Sequence, residues 1–319
     1  YYLLIRLQTQ LFLIFTSVVL ITFLLTTITF TGLLLKNLQD ETLKRLDTDV
    51  KVLNYAVESK QGENVSDALA LAQNVQIIDA VELKDVQSKK LLRDDTQTFL
   101  LNKKKNTLII VTEGGVVLER GEDADRVGDS ISDDPLVKRV LLGETASSGV
   151  TKDGVLGPEV SLRSATPIKR ADKIIGAVVV GTTIDNAFVD GIKAATGLEA
   201  AVYGDNILSA TTLLAADGKS RYIGVKEENS KIKEKVLRKG NSFTGSVNLL
   251  NTPYFAAYLP LKDVDTNPVG MLFVGKPQVG VLQAAGRSIE MTFLVTVTLM
   301  VLSIIPAYFI SRYLTSQIK

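Results

Sequence analysis

The chain has 319 residues, with 36 basic against 35 acidic side chains and a formal net charge of +1. Such a balance excludes the basic face of a nucleic-acid binder. The absence of both Cys and His excludes disulfides, zinc sites built on those residues, haem–His ligation, and Ser-His-Asp or Cys-His catalysis.

Hydrophobic residues make up 46% of the sequence, and the excess sits at the two ends. Residues 7–35 carry no charged side chain and are bounded by Arg6 and Lys36. Residues 291–311 are likewise uncharged, between Glu290 and Arg312. Each run reaches the roughly 20 apolar residues that cross a bilayer core. The first is too long for a cleaved leader and lacks a small-residue cleavage site. Pro306 is tolerated in a membrane helix. Arg6, Arg312 and Lys319 place both termini in the cytoplasm by the positive-inside rule. The segment between the spans is then periplasmic or extracellular, in a multi-pass protein of the inner (plasma) membrane that contacts lipid.

From Lys36 the pattern is helical. Leu43, Leu46, Val50 and Leu53 recur at spacings of three and four, an apolar stripe that must bury against the domain or a second copy. Ser59-Lys-Gln-Gly-Glu-Asn64 reads as a break, and Ser66 as the N-cap of a new helix. Helical pattern continues with interruptions to about Leu101, and Lys103-Lys104-Lys105 reads as a solvated turn. At Asn106 the character changes. Residues 107–112 and 116–119, around Gly114-Gly115, read as a hairpin, and 134–143 as a short helix stopped by glycine. Strands are predicted at 161–168 and 174–181, and a helix at 185–196 capped by Asp185 and ended by Gly197.

A second round follows: a hairpin at 199–203 and 207–212, a helix at 231–239 ended by Gly240, and strands at 243–249, 254–261 and 269–274. Val140-Leu-Leu-Gly with 174–181 matches Val236-Leu-Arg-Lys-Gly with 269–275 at nearly the same separation. That repeat implies two copies of one α+β module.

Three stretches resemble the Cache superfamily, the PAS-like extracytoplasmic sensors of bacterial receptors. Residues 154–168 continuing to 175–181 are similar to strands of citrate- and dicarboxylate-sensing kinases. Residues 185–203, and 252–261 with 268–278, are similar to the fused Cache modules of chemoreceptors, histidine kinases and cyclases. The resemblance implies an α+β fold: two transmembrane helices flanking a tandem PAS-like (double Cache) domain with a long N-terminal helix. The expected segments are span one at 7–35, a helical segment at 36–105, a membrane-distal module at 106–197, a membrane-proximal module at 198–287, span two at 291–311, and the start of a HAMP linker at 312–319. It also implies the input half of a longer receptor that signals as a homodimer, with a kinase, cyclase or methyl-accepting output beyond Lys319.

By the same resemblance, Arg163 of the Ser-Leu-Arg strand meets a ligand carboxylate. A planar guanidinium suits that task because it pairs bidentately. Strand alternation puts Ser161 on the same face. Carboxylate sensors carry a histidine after the first hairpin and a second basic residue where Ala165 stands here. Arg120 and Arg126 are the candidates in the histidine's place. Tyr254 and Tyr258 share strand parity and either line a second pocket or fill a core. Asp129, Ser132, Asp133 and Asp134 lack the glycine and terminal glutamate of an EF-hand loop and read as a loop with a helix cap. No metal, cofactor or catalytic constellation is implied. The expected partners are a small-molecule ligand, lipid and a second copy. The alternative function is a membrane protein without a small ligand, whose modules dock another protein or serve a structural role.

Overall fold

The computed structural model describes residues 2–316. The side chains of residues 2–8, 11, 284, 307, 311 and 314–316 lie outside the described set. The last three residues of the expected linker, 317–319, also lie outside it. The chain divides into two compact units. One comprises residues 1–44, 248–254 and 276–319, and the other comprises 45–247 and 255–275.

In the first unit, both apolar runs are helical. They belong to α1 (Tyr2–Ala72) and α7 (Gln278–Ser316). Both contain windows long and apolar enough to cross a membrane, and neither window is buried in the fold. Hydroxyls within them bond back one turn, as Thr22 to the Val18 carbonyl, Thr26 to Thr22 and Thr296 to Thr292, each at 2.8 Å. Such groups carry their own acceptors and suit an apolar medium.

The second unit holds the two modules. The rest of α1 is followed by α2 (Val75–Leu83) and α3 (Val86–Lys103). Asn74 caps α2 and Asp85 caps α3 through side-chain oxygens, satisfying orphan amide donors. Then come β1 (Thr107–Thr112), β2 (Val117–Arg120), α4 (Pro135–Leu141), β3 (Ala146–Lys152), β4 (Glu159–Arg170) and β5 (Lys173–Thr183). The second module has α5 (Asn186–Thr196), β6 (Glu199–Gly204), β7 (Ile207–Thr211), α6 (Ser230–Ile232) running into a π-helix (Lys233–Arg238), β8 (Phe243–Leu249), β9 (Thr252–Lys262) and β10 (Pro268–Pro277).

The two sheets have strand orders β2-β1-β5-β4-β3 and β7-β6-β10-β9-β8. These are the same topology shifted by five strands, which is the repeat read from sequence. The entry and exit of each sheet pair with each other, Thr107 with Gly181 and Glu199 with Gly275.

The first sheet is apolar on both faces, with period two. Leu108, Ile110, Ile168, Val178 and Val180 pack on Ala68, Leu71, Ile77, Val81 and Leu92 of α1–α3. Ile109, Val111, Ala165, Ala177 and Val179 pack on Leu136, Val137 and Val140 of α4.

Three expectations are corrected. First, α1 does not break at residues 59–64. Asn64 is fully buried and its amide bonds to the sheet, so it does not compete for the local backbone. Ser66 is not a cap; its hydroxyl bonds back to the Gly62 carbonyl. Second, the stripe Leu46, Val50 and Leu53 is 0–1% exposed within this single chain and so gives no support to a dimer. Third, only part of the lysine run is solvated. The Lys105 side chain is 5% exposed and sits beside Asp67 and Glu63.

Candidate functional site

Arg163 projects from the α4 face of β4, as alternation requires, in line with Ala165. Opposite it on β5 stands Gly181. A Cβ there would lie 3.3 Å from the Arg163 Cγ and 2.9 Å from the Thr107 Cβ, so the missing side chain makes room for the arginine stem. Arg163 is 8% exposed. Its Nε is buried with no hydrogen-bond partner, and no described residue forms an ion pair with the guanidinium. Burial pushes its proton affinity down, while the more distant carboxylates of Asp134 and Glu122 pull it up. A buried, uncompensated cation is costly and calls for an anionic partner.

A cleft of about 680 Å³ opens over this arginine. Ser161 and Glu159 line it from β4, Thr107 from β1, Thr183 from β5 and Lys152 from the end of β3. Residues 155–158 form one wall, and Ser209 and Ile223 of the second module contribute to another. The wall reaches the second module through paired glycines. A Cβ on Gly157 would stand 3.0 Å from the Gly224 nitrogen, and one on Gly224 would stand 2.4 Å from the Leu156 carbonyl oxygen. The turn between β9 and β10 also touches the first module, where Arg139 pairs with Asp265 at 2.8 Å and the Val264 amide donates to the Ser148 hydroxyl at 3.1 Å.

Sequence reasoning missed Lys152. Its residue type carries no signal by itself, and only the pairing of β3 with β4, which sets it opposite Glu159, brings it to the cleft that Arg163 lines. Its amine is held below the ordinary value, first by partial burial and then by repulsion from Arg163. The cleft thus presents two cations and the Ser161 hydroxyl beside the carboxylates of Glu159 and Asp185, and the Arg163 end of it suits a carboxylate or similar anion.

The other candidates lie elsewhere. Arg120 gives its fork to Asp129, at 2.6 and 2.8 Å, and donates to the Arg126 carbonyl at 2.6 Å. That pairing raises its proton affinity and leaves it a structural pin of the 121–129 loop. Arg126 is exposed on that loop. Asp129 and Asp134 are likewise engaged, the first by Arg120 and the second as the cap of α4. Tyr258 fills a core. Its ring centroid lies 5.1 Å from Phe273, 6.1 Å from Phe243 and 6.2 Å from Tyr203, and its hydroxyl donates to buried Glu227 at 3.0 Å. Tyr254 is half-buried, and its carbonyl accepts from Gln278 at 3.3 Å. Neither tyrosine lines the cleft.

Residues 182–287 match the family model described as single Cache domain 3. No curated protein matches the chain. Solved structures similar in fold include an extracellular domain assigned to a histidine kinase (14% identity, TM-score 0.53, covering 77% of this chain and 99% of that one). The sensor domain of the Vibrio cholerae histidine kinase DctB gives 10% identity and TM-score 0.50, covering 75% and 98%. The ligand-binding domain of a Campylobacter jejuni chemoreceptor in complex with L-valine gives 14% and 0.50, covering 77% and 96%. At these identities the likeness is one of fold. Together with the family match, it meets the expected resemblance to a Cache extracytoplasmic sensor region.

Proposed function

We propose that the chain is the input region of a transmembrane receptor, in which a small carboxylate-bearing ligand enters the cleft between Arg163 and Lys152. Occupancy changes the pose of the sensor region. The change passes through the second span, residues 291–311, to a HAMP-type linker and a cytoplasmic output, with both termini cytoplasmic. The observation that carries this reading is the buried guanidinium of Arg163, with no partner among the described residues, at the floor of an open cleft. The ligand must bind the two signalling states unequally, or nothing is transmitted. The L-valine complex of the similar chemoreceptor domain places amino acids beside simple carboxylates among the ligands to try.

The test is thermal unfolding of the full chain in detergent micelles against carboxylates, amino acids and amines. A ligand at about 100 times its dissociation constant adds roughly 2.7 kcal/mol of stability. Arg163→Ala should abolish the shift, since removing the partner of a buried charge pair costs about 2–5 kcal/mol. A shift that survives in Arg163→Ala overturns the assignment of the site.

A second reading rests on Val155 and Leu156, which are 101% and 81% exposed at the mouth of the cleft. Bare apolar side chains at a loop tip fit a protein partner. No response across the panel, with binding of a partner lost in Leu156→Asp, would favour that reading.

We also propose a homodimer. With the Leu46 stripe consumed internally, the opposite face of α1 carries it. Val52, Tyr55, Ser59, Gly62, Ser66 and Leu69 are exposed, uncharged and spaced by threes and fours, the periodicity of a helix–helix seam.

A further inference from the structure

We propose that a polar clasp on the far face of the first sheet, made by Gln61, Asn64 and Lys105, is how α1 reads the occupancy of the cleft. The inference rests on the anion-site reading of that cleft. Asn64 is 0% exposed. Its Nδ2 donates to the Leu162 carbonyl at 2.9 Å, and its Oδ1 accepts from Lys105 Nζ at 2.8 Å and from Thr182 Oγ1 at 2.9 Å. One turn earlier, the Gln61 carbonyl accepts from the Ser164 hydroxyl at 3.0 Å.

Every partner in the clasp is a chain neighbour of a cleft residue. Leu162 lies between Ser161 and Arg163, and Ser164 follows Arg163. Thr182 precedes Thr183, and Lys105 precedes Asn106, which also lines the cleft. Alternation along a strand turns one set toward the cleft and the other toward α1. A ligand that pulls on Arg163 therefore moves the Leu162 carbonyl and the Ser164 hydroxyl that α1 holds.

Packing alone does not require these groups. Val57 and Ala68 bury the same helix face with apolar atoms, whereas a buried amide carries a desolvation cost that only complete bonding offsets. Hydrogen bonds shielded from water are either made or broken, which suits a two-state element better than a continuous apolar contact. Asn64 and Gln61 act as positioning residues.

The test is a double-mutant cycle read by hydrogen exchange of amides 58–68, on the full chain in micelles. The forms are wild type, Arg163→Met, Asn64→Asp and the double variant. Asn64→Asp keeps the acceptor for Lys105 and Thr182, loses the donor to Leu162, and adds a negative charge between Lys105 and the Leu162 carbonyl. We expect Arg163→Met to change exchange in that turn by about fivefold or more in the wild-type background, and by less than about twofold beside Asn64→Asp. Additive effects overturn the proposal. Should Asn64→Asp fail to fold, Ser164→Ala replaces it with the same criterion.

A second arm adds succinate as the probe. Succinate binding retained in Asn64→Asp, with the response of α1 lost, supports the clasp; a retained response overturns it. If succinate has no effect on the wild type, a non-additive cycle still upholds the clasp while counting against the carboxylate reading. An additive cycle then overturns both.

Discussion

If an anion binds as proposed, Arg163 and Lys152 make its affinity sensitive to pH, and the sign follows from the repulsion between them. The Lys152 amine is depressed by burial, by Arg163 and by the more distant Arg126 and Arg120, with Glu122 acting the other way. Without ligand, a depressed amine costs stability below its folded value, and the cost fades as pH rises toward the ordinary 10.5. An anion between the two cations restores the proton. Affinity should therefore fall as pH climbs through the titration of the free cleft, by up to roughly tenfold per pH unit for one proton. Calorimetric titration from neutral pH upward should show this slope, and Lys152→Met should flatten it. Glu119 gives a separate case on β2. Its Oε1 is buried without a partner, and burial raises its proton affinity despite Arg93. A raised carboxylate penalises the fold above its unfolded value. Glu119→Gln should raise the unfolding temperature at pH 7 by about 1–3 °C, and the gain should vanish below pH 4.5. At this scale the sequence is least legible. Arg163 stood out because of a family resemblance. Lys152 and Asn64 owe their roles to strand register and to a contact 98 residues away, and nothing in their local sequence signals either.

The elements were largely legible because their determinants are local. Asp185 and Gly197 bound α5 as cap and left-handed stop, Asp134 and Pro135 start α4, and Gly114-Gly115 turns the first hairpin. The misreading fell on α1, where a glycine, an asparagine and a serine resemble a breaker cluster. Tertiary bonds to Asn64 and the back-bonded Ser66 override that local preference. The corrected helix has two faces with different tasks, one consumed by the domain and one exposed and free of charge from Val52 to Leu69. Tyr55→Glu should convert a dimer to a monomer, since like charges meet across a symmetric seam. Light scattering of the full chain in micelles reads the mass directly. An unchanged dimer would move the interface off this face. The internal face should stay intact, because Tyr55 is 71% exposed.

Across the molecule, one strand order serves two purposes. In the first module the α4 face of the sheet gives way, around Gly181, to a cleft with a buried cation. In the second, a core of Tyr203, Tyr258, Phe243 and Phe273 is closed over Glu227 by aromatic rings. The repeat was visible in sequence because both copies keep their glycines and apolar runs; the different fillings were not, because aromatic parity on β9 fits a core and a pocket equally well. The pairing of Thr107 with Gly181, and of Glu199 with Gly275, has a consequence for descent. Each module enters and leaves on adjacent strands, so the connections at its base stay fixed whatever happens inside it. A piece with neighbouring ends can be duplicated, inserted or exchanged as a cassette without rerouting the rest of the chain. Under the proposed sensing role, recombination of one module would change what is detected and leave the other module as it is.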